Sequence, residues 1–142
     1  MASVQFFTEK ITFKIPQPRK TVKWLNSICS QEQKVLGELS YVFCSDSYLK
    51  RINQKYLRHS TLTDIISFPL TESSLIEGEI YISIPRVRDN ARKFNEPFER
   101  ELRRVMAHGI LHFIGYPDKK ASDKAVMRRK EEACLSLWDS ST

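Results

Sequence analysis

The sequence predicts an α+β fold, a small mixed β-sheet of about four strands packed with about five helices. Three observations lead there. Segments in which apolar residues alternate, the mark of half-buried strands, lie mostly in the first part of the chain. Segments of helical periodicity are inserted between them and dominate the end. The stretch 98–114 carries a continuous apolar stripe of Phe98, Leu102, Val105, Met106, Ile110 and Phe113. Lying between two other helices, it is the expected central helix.

Taken in order, residues 3–7 and 11–15 read as strands joined by a short turn, since Ile11, Phe13 and Ile15 alternate. Pro16 and Pro18 end that element, and Thr21 is the expected N-cap of a helix to about residue 36. Its face is Val22, Leu25, Ile28 and Cys29, and Gly37 stops it. Residues 39–44 alternate as a strand. Ser45 or Asp46 caps a helix in which Leu49, Ile52 and Tyr56 recur at helical spacing. A polar loop at 57–61 leads to a strand at 64–68, which Pro69 ends. After a loop to Glu77, residues 78–84 form a strand with Ile80, Ile82 and Ile84 on one side. Pro85 suits the first turn of a helix to Phe94, and Pro97 suits the start of the helix that runs to Ile114. The last helix spans about 121–138, with Ser122 as N-cap and Ala125, Met127, Ala133, Leu135 and Trp138 for packing.

A chain of 142 residues is expected to be one domain, 1–142, with one core. It has no apolar run near the roughly 18 residues of a membrane span, and its first residues lack the pattern of a signal peptide, so a cytoplasmic location is expected. Cys29, Cys44 and Cys134 are odd in number and lack C-x-x-C spacing, which disfavours a disulfide framework or a cysteine metal site. The net charge is +6, concentrated at 14–23, 86–104 and 119–130, and a basic surface attracts phosphate backbones. Glu99, Glu101, Glu131 and Glu132 interrupt the run, so solvated helix faces are an equal explanation.

Two of the three histidines, His108 and His112, stand four apart on the central helix and so share a face. Gly115 allows a sharp helix exit, and Asp118 follows as an oxygen ligand. Three converging ligands with one open position suit a catalytic zinc ion, although iron(II) or manganese also accept two histidines and a carboxylate. The spacing follows the H-E-x-x-H-x-x-G-x-x-H zinc enzymes, with two substitutions. Gly109 stands where those enzymes carry the glutamate base, which disfavours a peptidase. Asp118 stands where they carry a third histidine. Each ligating imidazole needs an acceptor for its other N–H, and Glu131, Glu101 and backbone carbonyls are candidates. Arg58, His59, Arg86 and Arg88 are candidates for holding a phosphodiester, with a surface role equally open. Thr63 and Asp64 suit turn chemistry, and Ser67 and Phe68 suit a cleft wall.

Four segments together resemble the YbeY family of ribosomal RNA maturation factors, single-strand-specific endoribonucleases. They are Thr63-Asp-Ile-Ile-Ser-Phe-Pro69, Gly78-Glu-Ile-Tyr-Ile-Ser83, His108-Gly-Ile-Leu-His112-Phe-Ile-Gly115-Tyr-Pro-Asp118 and Met127-Arg-Arg-Lys-Glu131. The resemblance implies a zinc ion (Zn2+) on the central helix, held by His108, His112 and Asp118. It implies single-stranded rRNA as substrate, 3′-end maturation of 16S rRNA on the small ribosomal subunit, and ribosome quality control. The sequence departs from the family pattern at two places. Asp118 replaces the usual histidine, a change zinc tolerates. Leu57 follows Tyr56 where the family has arginine, so Arg58, one place on, is the candidate catalytic arginine. The expected function is a metal-dependent endoribonuclease of rRNA processing. The alternatives are an assembly factor with a structural metal and, further off, a metallopeptidase.

Overall fold

A computed structural model describes residues 3–57, 63–70 and 74–140. Among them are four strands and five helices, in the order β1 (Ser3–Glu9), α1 (Pro18–Gln31), β2 (Val35–Cys44), α2 (Asp46–Leu57), β3 (Ile65–Pro69), β4 (Leu75–Ser83), α3 (Ile84–Lys93), α4 (Phe98–Ile114) and α5 (Ala121–Ser140). The sheet order is β1-β2-β4-β3, parallel except for the β3–β4 pair. The expected α+β class, with its mixed four-stranded sheet, is the fold observed.

The twofold alternation of strands assigns each sheet face. Phe6, Tyr41, Ile80 and Ser67 lie in one cross-strand row, and Thr8, Phe43, Ile82 and Ile65 in the next. These rows face the main core, which α1, α3, α4 and α5 complete. α4 is central within it, packing on α1, α3, α5 and on strands β3 and β4. The Tyr41 hydroxyl, fully buried, donates to Met106 O at 2.9 Å and ties β2 to the middle of α4. The Trp24 indole donates to Cys134 O at 2.7 Å and ties α1 to α5. On the opposite face, among the described residues, α2 covers the sheet, burying Leu49 and Ile52 against Cys44 and Ile66. All three cysteines are free and buried, and burial raises each thiol to about 12.

Several expected elements differ. Residues 11–15 form no strand. Ile11, Phe13 and Ile15 do pack against the core in alternation, but as an extended segment without a ladder partner. Pro18 starts α1 instead of ending a strand, because its fixed φ and missing N–H suit a first turn. Thr21 is therefore inside the helix, its hydroxyl donating to Gln17 O at 2.9 Å. Gly37 lies within β2, at a bulge between Leu36 and Leu39. Ile84 belongs to α3, whose N-cap is Ser83, and β4 begins at Leu75. Ser45 is the cap of α2, accepting from the Tyr48 N–H at 3.1 Å. In α5 the capping side chain is Asp123, which accepts from the Lys120 N–H, and not Ser122. Ala125 and Ala133 are exposed, and Cys134 takes the packing position.

Candidate metal centre

The site is assembled by the C-terminal half of α4 and the turn that follows it. The helix presents His108 and His112 one turn apart, with ring centroids 4.6 Å apart. Gly115, at φ 123°, ends the helix in a conformation that costs other residues strain. The Gly115 N–H reaches Leu111 O and His112 O, and the Tyr116 N–H reaches Leu111 O at 3.0 Å, closing the end as a Schellman turn. The reversal brings Asp118 back over the histidines.

Asp118 Oδ2 lies 3.2 Å from His108 Nε2 and 3.3 Å from His112 Nε2. One ligand atom from each of the three residues lies within 4.8 Å of the others. Donors at about 2.0–2.1 Å from a tetrahedral zinc stand about 3.3 Å from each other, which the two carboxylate–imidazole separations match. All three residues are half-buried, which leaves a side open to solvent and substrate.

Positions around the triad are fixed by partners. His108 Nδ1 is 2.6 Å from Glu131 Oε2 on α5. With its proton on Nδ1 donated to that carboxylate, His108 turns the lone pair of Nε2 toward Asp118. Of the acceptors named from sequence, Glu131 fills the role; Glu101 instead faces Arg104. Arg104 is buried with Glu101 at 3.4 Å, Glu131 at 3.6 Å and Glu132 at 3.0 Å, so it holds Glu131 in place from behind. The Asp118 turn has its own anchor. The Tyr116 hydroxyl donates to Glu32 Oε1 at 2.5 Å, and Lys130 donates to Glu32 Oε2 at 2.9 Å. Burial alone would raise Glu32, but these two hydrogen bonds outweigh it and hold the carboxyl below its ordinary value. Sequence reading missed Arg104 and Glu32. The i,i+4 spacing of Arg104 to His108 was a usable signal; nothing in the sequence links Glu32 to Tyr116.

Electrostatics separate the two imidazoles. Burial lowers His108, but the Glu131 hydrogen bond and the charges of Glu131, Asp118 and Asp64 raise it above 6.5 overall. Burial and the neighbouring His108 charge lower His112. Beside His108 a cavity is lined by Asp64, Asn90, Phe94, Arg104, Arg128 and Glu131 among others. Asp64, raised mainly by burial, accepts from the Asn90 amide at 3.3 Å there. Thr63 makes turn bonds with Ile65, as its sequence position suggests.

Gly109 has a packing reason. A Cβ there would lie 2.9 Å from Ile80 Cδ1 and 3.1 Å from Ile65 Cδ1, so α4 approaches the sheet closely here and a larger residue would make those side-chain ends shift. Glycine supplies no base at this position. The arginines proposed to hold phosphate are not gathered here. Arg86 is paired with Asp46 at 2.8 Å, and Arg88 lies over the Phe98 ring at 5.2 Å. Arg58 and His59 lie outside the described residues. The basic run on α4 is also largely committed: Arg100 pairs with Glu96, Glu132 and Asp139, and Arg103 covers Trp138.

The family model described as Endoribonuclease YbeY matches residues 4–139. A protein of Flavobacterium psychrophilum named Endoribonuclease YbeY is 49% identical over 132 residues, covering 93% of this chain and 94% of its own. One of Porphyromonas gingivalis with the same name is 42% identical over 139 residues, covering 96% and 91%. The solution structure of a Thermotoga maritima protein superposes with a TM-score of 0.65 at 26% identity, covering 96% of this chain and 89% of that one.

Proposed function

The chain belongs to the endoribonuclease YbeY family, and from that membership we propose a metal-dependent endoribonuclease that cuts single-stranded rRNA. Its proposed place is 3′-end maturation of 16S rRNA and ribosome quality control, in the cytoplasm and on the small ribosomal subunit. Residues 1–142 work as one domain. No helix among the described residues is long and apolar enough to cross a membrane.

The observation that supports the reading best is the convergence of His108, His112 and Asp118 on one point at zinc-like spacing. In this reading those three residues hold the ion, Zn2+ by preference or another divalent metal. When bound, the ion supplies Lewis-acid stabilisation at a phosphoryl oxygen and acidifies water. The protein's own residues do the rest. Glu131 accepts the Nδ1 proton of His108 and fixes that ring. The Tyr116–Glu32–Lys130 cluster holds the turn that carries Asp118. Arg58 contacts the scissile phosphate. Gly109 tells against the peptidase alternative, since that mechanism needs a glutamate there.

The test has two parts. Metal content is measured in the wild-type protein and in His112→Ala; equal content removes the site. Cleavage of single-stranded RNA is then assayed for wild type, Asp118→Ala and Arg58→Ala, with chelator controls. Loss of cleavage in both variants, with RNA binding kept, is the expected result. RNA that is bound but cut in no metal state would leave an assembly factor with a structural metal.

A further inference from the structure

We propose that the sheet face opposite the metal centre, together with α2, is a stacking track for single-stranded RNA. The ligand class rests on the endoribonuclease reading; the surface itself is argued from its own residues.

Strand alternation places Phe7, Val42, Tyr81 and Ile66 in one cross-strand row on this face. α2 covers the Ile66 end of the row and leaves the Phe7 end bare. Three adjoining grooves follow the border between helix and sheet; Tyr81 lines all three, and Tyr48 and Tyr56 each line two of them. Tyr56 is 60% exposed and Phe7 47%, high for aromatic residues. Behind Tyr56 the rings are braced edge to face: Tyr56 on Phe68 and Phe68 on Tyr81, each at 5.8 Å. The Tyr56 ring is therefore braced from behind while most of its surface stays exposed.

Cations are interleaved with these rings. The Lys55 ammonium lies 5.2 Å from the Tyr56 ring centre, and the Arg51 guanidinium 5.8 Å from that of Tyr48. Neither makes an ion pair with a described carboxylate. The arginines of α4, by contrast, are largely paired with carboxylates. Rigid aromatic faces with cations between them suit bases and phosphates in alternation, and suit a continuous apolar partner poorly. Glu9 and Glu79 border the grooves, and Glu79 is occupied by the Tyr81 hydroxyl at 3.2 Å. These carboxylates confine the phosphates to the α2 side.

The position also fits. β3 is an edge strand, and its two faces serve the two features. Ile65 packs beneath Gly109 on the histidine helix, whereas Ile66 and Phe68 face α2. Asp64, just before β3, lines the cavity that His108 also lines. A strand laid on Tyr56 can thus pass round the edge of β3 toward the metal centre.

The experiment measures binding of a fluorescein-labelled oligouridine by anisotropy, in metal-stripped protein and again in a His112→Ala background. Binding is thereby read without cleavage. Tyr56→Ala is expected to weaken binding roughly 5- to 100-fold, and Tyr56→Phe to restore it. Arg51→Gln with Lys55→Gln is expected to weaken binding and lower the salt slope by about 0.7 per lost phosphate contact. All these side chains are exposed, and unchanged melting temperatures confirm that the fold is intact. Wild-type oligouridine binding by both Tyr56→Ala and the Arg51/Lys55 variant overturns the proposal. If that result comes with lost binding to the small ribosomal subunit, the face is a protein-docking surface instead. Tyr56-dependent binding without any RNA cleavage by wild type would sink the enzymatic reading and leave the track standing.

Discussion

Glu131→Gln is the substitution that most directly tests how the centre is built. The Glu131 carboxylate sits 2.6 Å from His108 Nδ1 and 3.6 Å from Arg104. Glutamine keeps the shape and still offers an oxygen to the imidazole, but it removes the charge. Carboxylates behind metal-bound histidines are worth 10- to 100-fold in metal affinity, or about 1.4–2.7 kcal/mol. The fold should tolerate the change, because Arg104 keeps Glu132 at 3.0 Å and Glu101 at 3.4 Å. Glu131→Ala is the contrasting control. It leaves a cavity and strips the buried His108 N–H of its acceptor, a loss of about 1–3 kcal/mol by the rule for unsatisfied buried donors. The assay is zinc affinity by competition with a chelating dye, alongside thermal melting of the metal-free proteins. The expected pattern is weak zinc binding with a near-native melt for the glutamine variant, and a clearly lower melt for the alanine variant. Wild-type zinc affinity in Glu131→Gln would refute the role assigned to this carboxylate.

Three further outcomes are expected. In metal-free protein, histidine NMR should show His108 titrating above 6.5 and His112 below it. The signs follow from linkage: the contribution of His108 to stability is complete below 6.5 and fades as pH rises through its raised value, whereas that of His112 is present above 6.5 and is lost as pH falls through its lowered value. Identical titrations would contradict the assigned environments. Tyr41→Phe should lower stability by about 1 kcal/mol through loss of the hydroxyl bond to Met106 O, a melting shift of about 3–5 °C; an unchanged melt would show the bond to be worth nothing. Gly109→Ala gains about 1 kcal/mol of helix propensity but overpacks against Ile80 at a cost of about 1–3 kcal/mol, so a neutral to lowered melt is expected and a raised one would refute the contact.

The parts legible in the sequence were those set by local chemistry. The apolar stripe of α4, the histidine spacing and the glycine exit all act within about a turn of their own residues, so they could be read directly. Where reading failed, a tertiary effect had produced a local pattern. Ile11, Phe13 and Ile15 alternate because one side of an extended segment meets the core, and Phe13 packs on Phe43 and Phe98. Alternation records which side is buried; it does not record a ladder partner. Gly37 looked like a helix stop because a glycine after a helical pattern usually is one, yet it serves a bulge against Glu77.

Charge was the least legible property. A run of arginines from 86 to 104 suggested a phosphate-binding surface, but whether an arginine is free depends on what faces it. Arg86, Arg100 and Arg104 are each met by carboxylates from other elements, Asp46, Asp139, Glu131 and Glu132 among them. The same principle explains why Gly109 and Glu131 matter together. α4 comes close to the sheet at position 109, which carries no side chain and therefore no base. The carboxylate that faces His108 comes from another element. It is Glu131 on α5, held from behind by Arg104 one turn before His108. The helix that carries His108 and His112 thus also supplies the cation that positions Glu131, so the geometry of the candidate site and core packing are set by the same stretch of sequence.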